Sequence, residues 1–310
     1  MIGHPHSADR YNRSMLPVLF LYGSLINNVR ELIANHNPAA AEQQVRAYQA
    51  QNGATAECAN ALSWLARGAL DARKYDRADS WATETRKLSD ALLRQRKLDA
   101  DNYLPIAVGA SIEVHAQVMA ARGERAESVA WLREQARLFA GTSITERIRK
   151  NINLLSLEGK AAPPLEEAEW LGVKPPSLAT VKGHPVLLFF WAHWCVDCKG
   201  EVPILANVQR AFAPQGLVVV APTRLYGYAA GGEDAPPTVE KQYIEKVRQQ
   251  YYSALPGMSA PLSAANFQTY GASTTPTIVL IDRSGVVRLY HPGVLSEAEL
   301  SARIRAILKL

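Results

Sequence analysis

Between residues 29 and 157, apolar positions recur at three- and four-residue steps, the spacing of one face of an α-helix. Leu62, Leu65, Ala69 and Leu70 form one such stripe, Ile112, His115, Val118 and Met119 a second, and Val129, Leu132, Ala136 and Leu138 a third. Gly53, Gly123 and Gly141 punctuate the run, while Pro38 and Pro105 mark helix starts. The pattern predicts helices only, with hairpins at Asn37-Pro38, at Lys74-Tyr75-Asp76 and at Arg122-Gly123-Glu124. It changes at Gly159. Ala161-Ala162-Pro163-Pro164 and Lys174-Pro175-Pro176 are extended pieces that resist helix. The unbroken apolar run Pro185 to Trp191 then suits a strand buried on both faces. Leu217–Ala221 and Thr277–Ile281 read the same way, and after the turn Asp282–Gly285 the chain returns as a hairpin partner over Val286–Tyr290. Helices are expected from Cys195 to about Ala213, from Val239 to Ala254 and from Ser296 to Leu310, where Ser296 and Glu299 have capping-box spacing. The expected architecture is an all-α helical-repeat domain over 29–157 followed by an α/β domain over 158–310, with 1–28 a leader, tag or first helix.

Composition changes this picture little. A chain of 310 residues with 48% hydrophobic and 20% charged residues has room for two ordinary globular domains. The net charge of +5 is spread along the chain, with no dense Lys/Arg tract interleaved with aromatics, so nucleic acid is not an expected partner. The run Met15 to Ile26, preceded by His4, His6, Arg10 and Arg13, looks like a signal-peptide core. Pro17 interrupts it, no small-x-small cleavage site follows, and it is too short for an integral membrane span. It reads either as a leader running into a first helix or as a degraded export signal. The helical hairpins resemble tetratricopeptide repeats, which bind partner proteins along a concave face; the alternative is a helical extension that braces the second domain.

The candidate chemistry lies in Trp191-Ala192-His193-Trp194-Cys195-Val196-Asp197-Cys198-Lys199. Two cysteines three apart at a helix start can close a small disulfide ring, and the unpaired N–H groups there favour a thiolate, the nucleophilic form. Cys195 is the expected attacking thiol at the exposed helix end, and Cys198, one turn in, its resolving partner. A zinc site would need two further ligands, and no second CxxC or HxxxH pattern occurs, so neither metal nor cofactor beyond the cysteine pair is expected. Cys58, in an alanine-rich helix, reads as a small buried hydrophobe, or alternatively as a regulatory disulfide partner.

Residues 159–310 resemble the thioredoxin superfamily, and most of all its TlpA/ResA-like, extracytoplasmic bacterial reductases. The resemblance runs through Gly159-Lys160-Ala161-Ala162-Pro163, the approach Val181-Lys182-Gly183-His184-Pro185, the Phe190–Cys195 entry, Glu201-Val202-Pro203, Thr274-Thr275-Pro276-Thr277 and Ile281–Gly285. It implies a thioredoxin fold, a cis-proline at Pro276, and substrate binding by Trp194, Thr275 and Pro276, the Thr275 backbone pairing with an extended substrate strand. It implies thiol–disulfide exchange with disulfide-containing protein substrates and a thiol electron donor, and a periplasmic or otherwise extracytoplasmic location, a cytoplasmic one remaining the alternative.

The sequence departs from the pattern at Phe189, where many thioredoxins carry a buried acid, so the proton relay must differ or be absent; Asp197, Glu201, Glu233 and water are the candidates. His193, Asp197 and Glu201 are the residues expected to tune thiol acidity. Asp197 inside the CxxC either disfavours the Cys195 thiolate or is simply a negative charge in a helix first turn, and His193 is either a helper when protonated or an exposed bystander. The spacing from Cys195 to Pro276 leaves an insertion at about 222–263 that carries Tyr226, Tyr228, Tyr251 and Tyr252, as groove lining or as packing. Two rival functions stay in view. A thiol peroxidase needs a threonine three residues before its cysteine, where Ala192 stands; a redox-inert partner-binding scaffold would survive loss of both cysteines.

Overall fold

The computed structural model describes residues 24–309, so the leader reading of residues 1–23 lies outside the described residues. Seven helices come first: α1 Leu25–Ala34, α2 Pro38–Asn52, α3 Ala56–Asp71, α4 Tyr75–Leu93, α5 Leu104–Ala121, α6 Arg125–Leu138 and α7 Thr145–Ser156. They pack mainly against their neighbours in the chain, α3 with α4 and α4 with α5 most extensively, with α3 also against α5 and α1. Ser24, Asn37 and Thr55 cap α1, α2 and α3 by accepting backbone N–H groups, as short polar side chains do at helix starts. The predicted stripes face inward, with Leu62, Leu65, Ile112, Val118, Val129 and Leu132 all buried. Leu138 is a correction: it is 65% exposed, and Phe139 at the end of α6 takes the buried place. Helix α5 is long and apolar enough to cross a membrane by length and composition, yet Leu104, Val108 and Ile112 are packed among neighbouring helices.

The second half builds a six-stranded mixed sheet in the order β1-β4-β3-β2-β5-β6, from β1 Trp170–Gly172, β2 Val186–Phe190, β3 Val218–Val220, β4 Ser259–Pro261, β5 Thr277–Ile281 and β6 Val287–Pro292. β2 runs parallel to β3 and antiparallel to β5. Side chains on a strand alternate between faces, and β2 therefore divides its buried residues between two cores. Leu187 and Phe189 enter the core that holds the cysteines, while Val186, Leu188 and Phe190 enter the core on the other face. The flanking helices are α8 Val196–Gly200, α9 Val202–Phe212, α10 Pro237–Tyr251, α11 Ala264–Tyr270 and α12 Glu297–Leu308. The single helix expected from Cys195 is divided at Glu201, ahead of Pro203 in the first turn of α9, where proline's missing N–H costs nothing. The helix expected at Val239–Ala254 runs over Pro237–Tyr251, and Ser296 and Glu299 make the anticipated capping box on α12.

Helix α7 joins the two halves. Leu154 packs and Leu157 is buried in the second core with Phe190, Phe267, Tyr270 and Tyr290, so α7 and α11 together cover that face of the sheet. At Gly271, which closes α11 with a φ of +60°, a Cβ would lie 2.4 Å from the Lys150 backbone nitrogen. Only glycine permits both that backbone and that approach.

Candidate active site

β2 and β5 deliver the site to one end of the sheet. Phe190, the last residue of β2, pairs with Thr277, the first of β5, so the loop carrying the cysteines and the loop carrying Pro276 leave the sheet side by side. Trp191 anchors the first loop: it is fully buried, its Nε1 donates to the Ala221 carbonyl at 2.9 Å, and its ring lies 4.6 Å from Tyr252. Thr223 Oγ1 donates to the Trp191 carbonyl at 3.0 Å, tying that loop to the end of β3.

Cys195 and Cys198 are joined as a disulfide, with Cα atoms 5.3 Å apart. Cys195 is the N-cap of α8, and its Sγ accepts the Cys198 backbone N–H at 3.0 Å. An N–H donor on a cysteine sulfur at a helix start is the kind of group that stabilises negative charge on that sulfur. Both sulfur-bearing residues are more enclosed than expected, Cys195 at 3% exposed and Cys198 fully buried, while Trp194 and Val196 on either side of Cys195 are 46% and 78% exposed. Asp197 and Glu233 are exposed; Glu201 is not.

Glu201 sits one turn after Cys198. Its Oε1 accepts the Leu295 N–H at 3.3 Å, and its buried Oε2 has no hydrogen-bond partner among the described residues. Burial pushes its carboxyl pKa up, against the pull of the Leu295 N–H, and nearby Asp197 adds to the rise. The Thr275–Pro276 peptide bond is cis, and the Pro276 carbonyl accepts the Gly293 N–H at 2.8 Å. One loop, 293–295, thus touches both the cis-proline and Glu201.

His193 is buried, not an exposed bystander. Tyr226, Tyr228 and Tyr243 meet its ring edge to face at centroid distances of 5.7, 5.3 and 5.4 Å. Its Nε2 lies 3.4 Å from Glu240 Oε1, and the Glu240 carboxylate also accepts the N–H groups of Tyr226 and Gly227. Desolvation lowers the His193 pKa more than Glu240 raises it, so the neutral imidazole is favoured. Of the insertion tyrosines, Tyr252 packs on Trp191 and Tyr226 touches Trp194 at 5.5 Å, while Tyr251 is 44% exposed beneath the Lys199 ammonium. Glu240 and Tyr243 were missed in the sequence, where they are ordinary helix positions far from the cysteines.

Cys58 lies in the core of α1–α4, and burial pushes its thiol up to about 11, so it is a poor nucleophile shut away from the site.

A cysteine pair on a helix start, next to a cis-proline loop on a six-stranded mixed sheet, defines a thiol–disulfide oxidoreductase of thioredoxin fold. Its redox chemistry resides in the Cys195–Cys198 pair, and no cluster of three or more His, Cys, Asp or Glu side chains suited to a metal occurs among the described residues. The family description "Thioredoxin-like domain" matches residues 176–308. The chain is 31% identical over 157 residues to the thiol:disulfide interchange protein DsbE of Xylella fastidiosa, covering 49% of this chain and 70% of that one. It is 28% identical over 153 residues to the thioredoxin-like protein YneN of Bacillus subtilis, covering 47% and 78%. It is 24% identical over 153 residues to the thiol-disulfide oxidoreductase ResA of Geobacillus thermodenitrificans, covering 48% and 77%. The chain belongs to the thioredoxin-like family of thiol–disulfide interchange proteins.

Proposed function

We propose that this chain reduces disulfides in protein substrates outside the cytoplasm, with Cys195 as nucleophile and Cys198 as resolving thiol. The observation that carries the reading is the Cys198 N–H held on Cys195 Sγ at the start of α8, which favours the thiolate of that sulfur. In the reduced chain the Cys195 thiolate attacks one sulfur of a substrate disulfide. A mixed disulfide forms, and the other substrate sulfur leaves as a thiolate and takes a proton. Cys198 then loses its proton, its sulfur attacks Cys195 Sγ, and the second substrate thiolate departs. Two electrons have passed to the substrate, and the chain holds the Cys195–Cys198 disulfide; a dithiol electron donor restores it by the reverse exchange. Glu201, buried one turn beyond Cys198 with a free carboxyl oxygen, is the group we assign to take the Cys198 proton, the part left open by Phe189. Trp194 and the Thr275–Pro276 backbone form the face on which an extended substrate strand lies, while Asp197, exposed in the first turn of α8, is the charged side chain between the two cysteines and His193 stays neutral in its tyrosine cage.

The test is a pair of substitutions. Cys195→Ser is expected to abolish disulfide reduction. Cys198→Ser is expected to accumulate a mixed disulfide that a non-reducing gel and mass spectrometry identify, with exported proteins as the trapped partners. Unchanged insulin reduction in both variants with nothing trapped would overturn the reading; trapped partners drawn only from the cytosol would overturn the location.

A further inference from the structure

The helical half and the active-site face meet along a groove that neither supplies alone. It encloses about 440 Å3 and is lined by Ile106 of α5, by Ser143, Arg147 and Lys150 on and before α7, and by Ser273 and Thr274. Thr274 is the residue before Thr275, so a strand laid along the cis-proline loop reaches the groove within one residue, about 3.3 Å of extended chain. The wall is firmly mounted. The α7 backbone lies against Gly271, and Glu146 at the start of α7 bonds Arg224 at 2.6 Å. The Arg224 guanidinium stacks 4.9 Å over Tyr226, and Tyr226 touches Trp194. Helix α7 is therefore tied to both loops that flank Cys195.

The lining has a definite chemistry. Arg147 and Lys150, which line the groove, both bond Glu113, which does not, at 2.8 and 3.1 Å, so two cations share one carboxylate and the three side chains carry a net positive charge beside the groove. Among the described residues no acidic side chain lines it, and Ile106, 39% exposed, offers an apolar foothold. We infer that this groove is a substrate subsite that receives the extended segment flanking the attacked disulfide and selects acidic over basic side chains there. The inference rests on the oxidoreductase reading above and assigns the helical half a direct share in choosing the substrate.

The experiment uses the reduced full chain in single-turnover reactions with three disulfides: a peptide with glutamates on both sides of its disulfide-bonded cysteine, the same peptide with lysines there, and the neutral small molecule 2,2′-dithiodiethanol. The wild type is expected to attack the acidic peptide about tenfold faster than the basic one at low ionic strength, with added salt erasing the difference. Ile106→Glu is expected to abolish that preference, Ile106→Lys to keep or enlarge it, and all three proteins to react alike with dithiodiethanol. A wild type indifferent to the flanking charge, or a preference that Ile106→Glu leaves intact, would overturn the subsite. Failure of the wild type to attack even dithiodiethanol would instead overturn the oxidoreductase reading. Because Ile106→Lys loses the same apolar surface, equal losses on all substrates in both variants would mark Ile106 as a packing residue and also defeat the proposal.

Discussion

Glu201 is where a single side chain carries the most testable chemistry. Its carboxyl is enclosed, one oxygen has no partner, and burial raises its pKa above the ordinary value of 4.5. A carboxyl raised in the folded state binds more protons there than in the unfolded chain across the interval between the two values. Its favourable contribution is complete below about pH 4.5 and is lost as pH rises through the folded value. Glu201→Gln, permanently neutral, should therefore show a flatter stability profile above pH 4.5 and a higher melting temperature than the wild type at neutral pH. It should also lengthen the life of the Cys195 mixed disulfide by about a hundredfold, the scale of a lost general base. Superimposed melting profiles and unchanged resolution kinetics would remove Glu201 from the mechanism. At this scale the sequence was partly legible. The cysteine pair is a local pattern, and Glu201 lies within the same short stretch. The surroundings of His193 were not legible, because its tyrosine cage and Glu240 come from the insertion and its helix, and only tertiary packing brings them to the cysteine loop.

Among elements, the strongly patterned ones were readable, three-residue β3 included, and the unpatterned ones were not. β2 and β5 announce themselves as unbroken apolar runs because each must fill two cores at once. β1 and β4 are three residues each, Trp-Leu-Gly and Ser-Ala-Pro, and owe their extended form to pairing with each other, which no local preference encodes. The seating of α7 against α11 was also invisible, since it depends on the missing side chain of Gly271. Gly271→Ala should cost about 1–2 kcal/mol for a left-handed backbone and about 1–3 kcal/mol more for the overlap with the α7 backbone. If thermal or denaturant unfolding shows that Gly271→Ala loses only about 1–2 kcal/mol, the left-handed backbone part alone, α7 is not pressed against α11 as described.

At the scale of the whole molecule, the change of pattern at Gly159 marks where helices give way to strands, but the cores divide elsewhere. Leu154 and Leu157 belong to the same apolar cluster as Phe190, Phe267 and Tyr290, on the sheet side. Asn153 donates to the Thr269 carbonyl at 3.3 Å, and Glu158 accepts the Tyr290 N–H at 3.2 Å. Ile144 and Ile148, on the same helix, belong to the core of α5 and α6. Helix α7 is thus a shared layer, and we propose that the sheet's folding unit begins before it rather than at residue 158. A fragment 158–310 would leave the Phe267–Tyr290 face uncovered, an exposed apolar patch of the kind that drives association. A fragment 143–310 keeps that face covered and exposes instead the side of α7 that carries Ile144, Ile148, Ile152 and Leu155. The shorter fragment should bind a hydrophobic dye, aggregate on concentration and melt without a sharp transition. The longer one should melt cooperatively, at a lower temperature than the full chain, and retain attack on dithiodiethanol while losing any preference set by the groove, since Ile106 is gone. Cooperative melting of 158–310 within a few degrees of 143–310 would show that the sheet does not need α7. The helical half would then be an appendage rather than the layer that completes the sheet and walls the approach to Cys195.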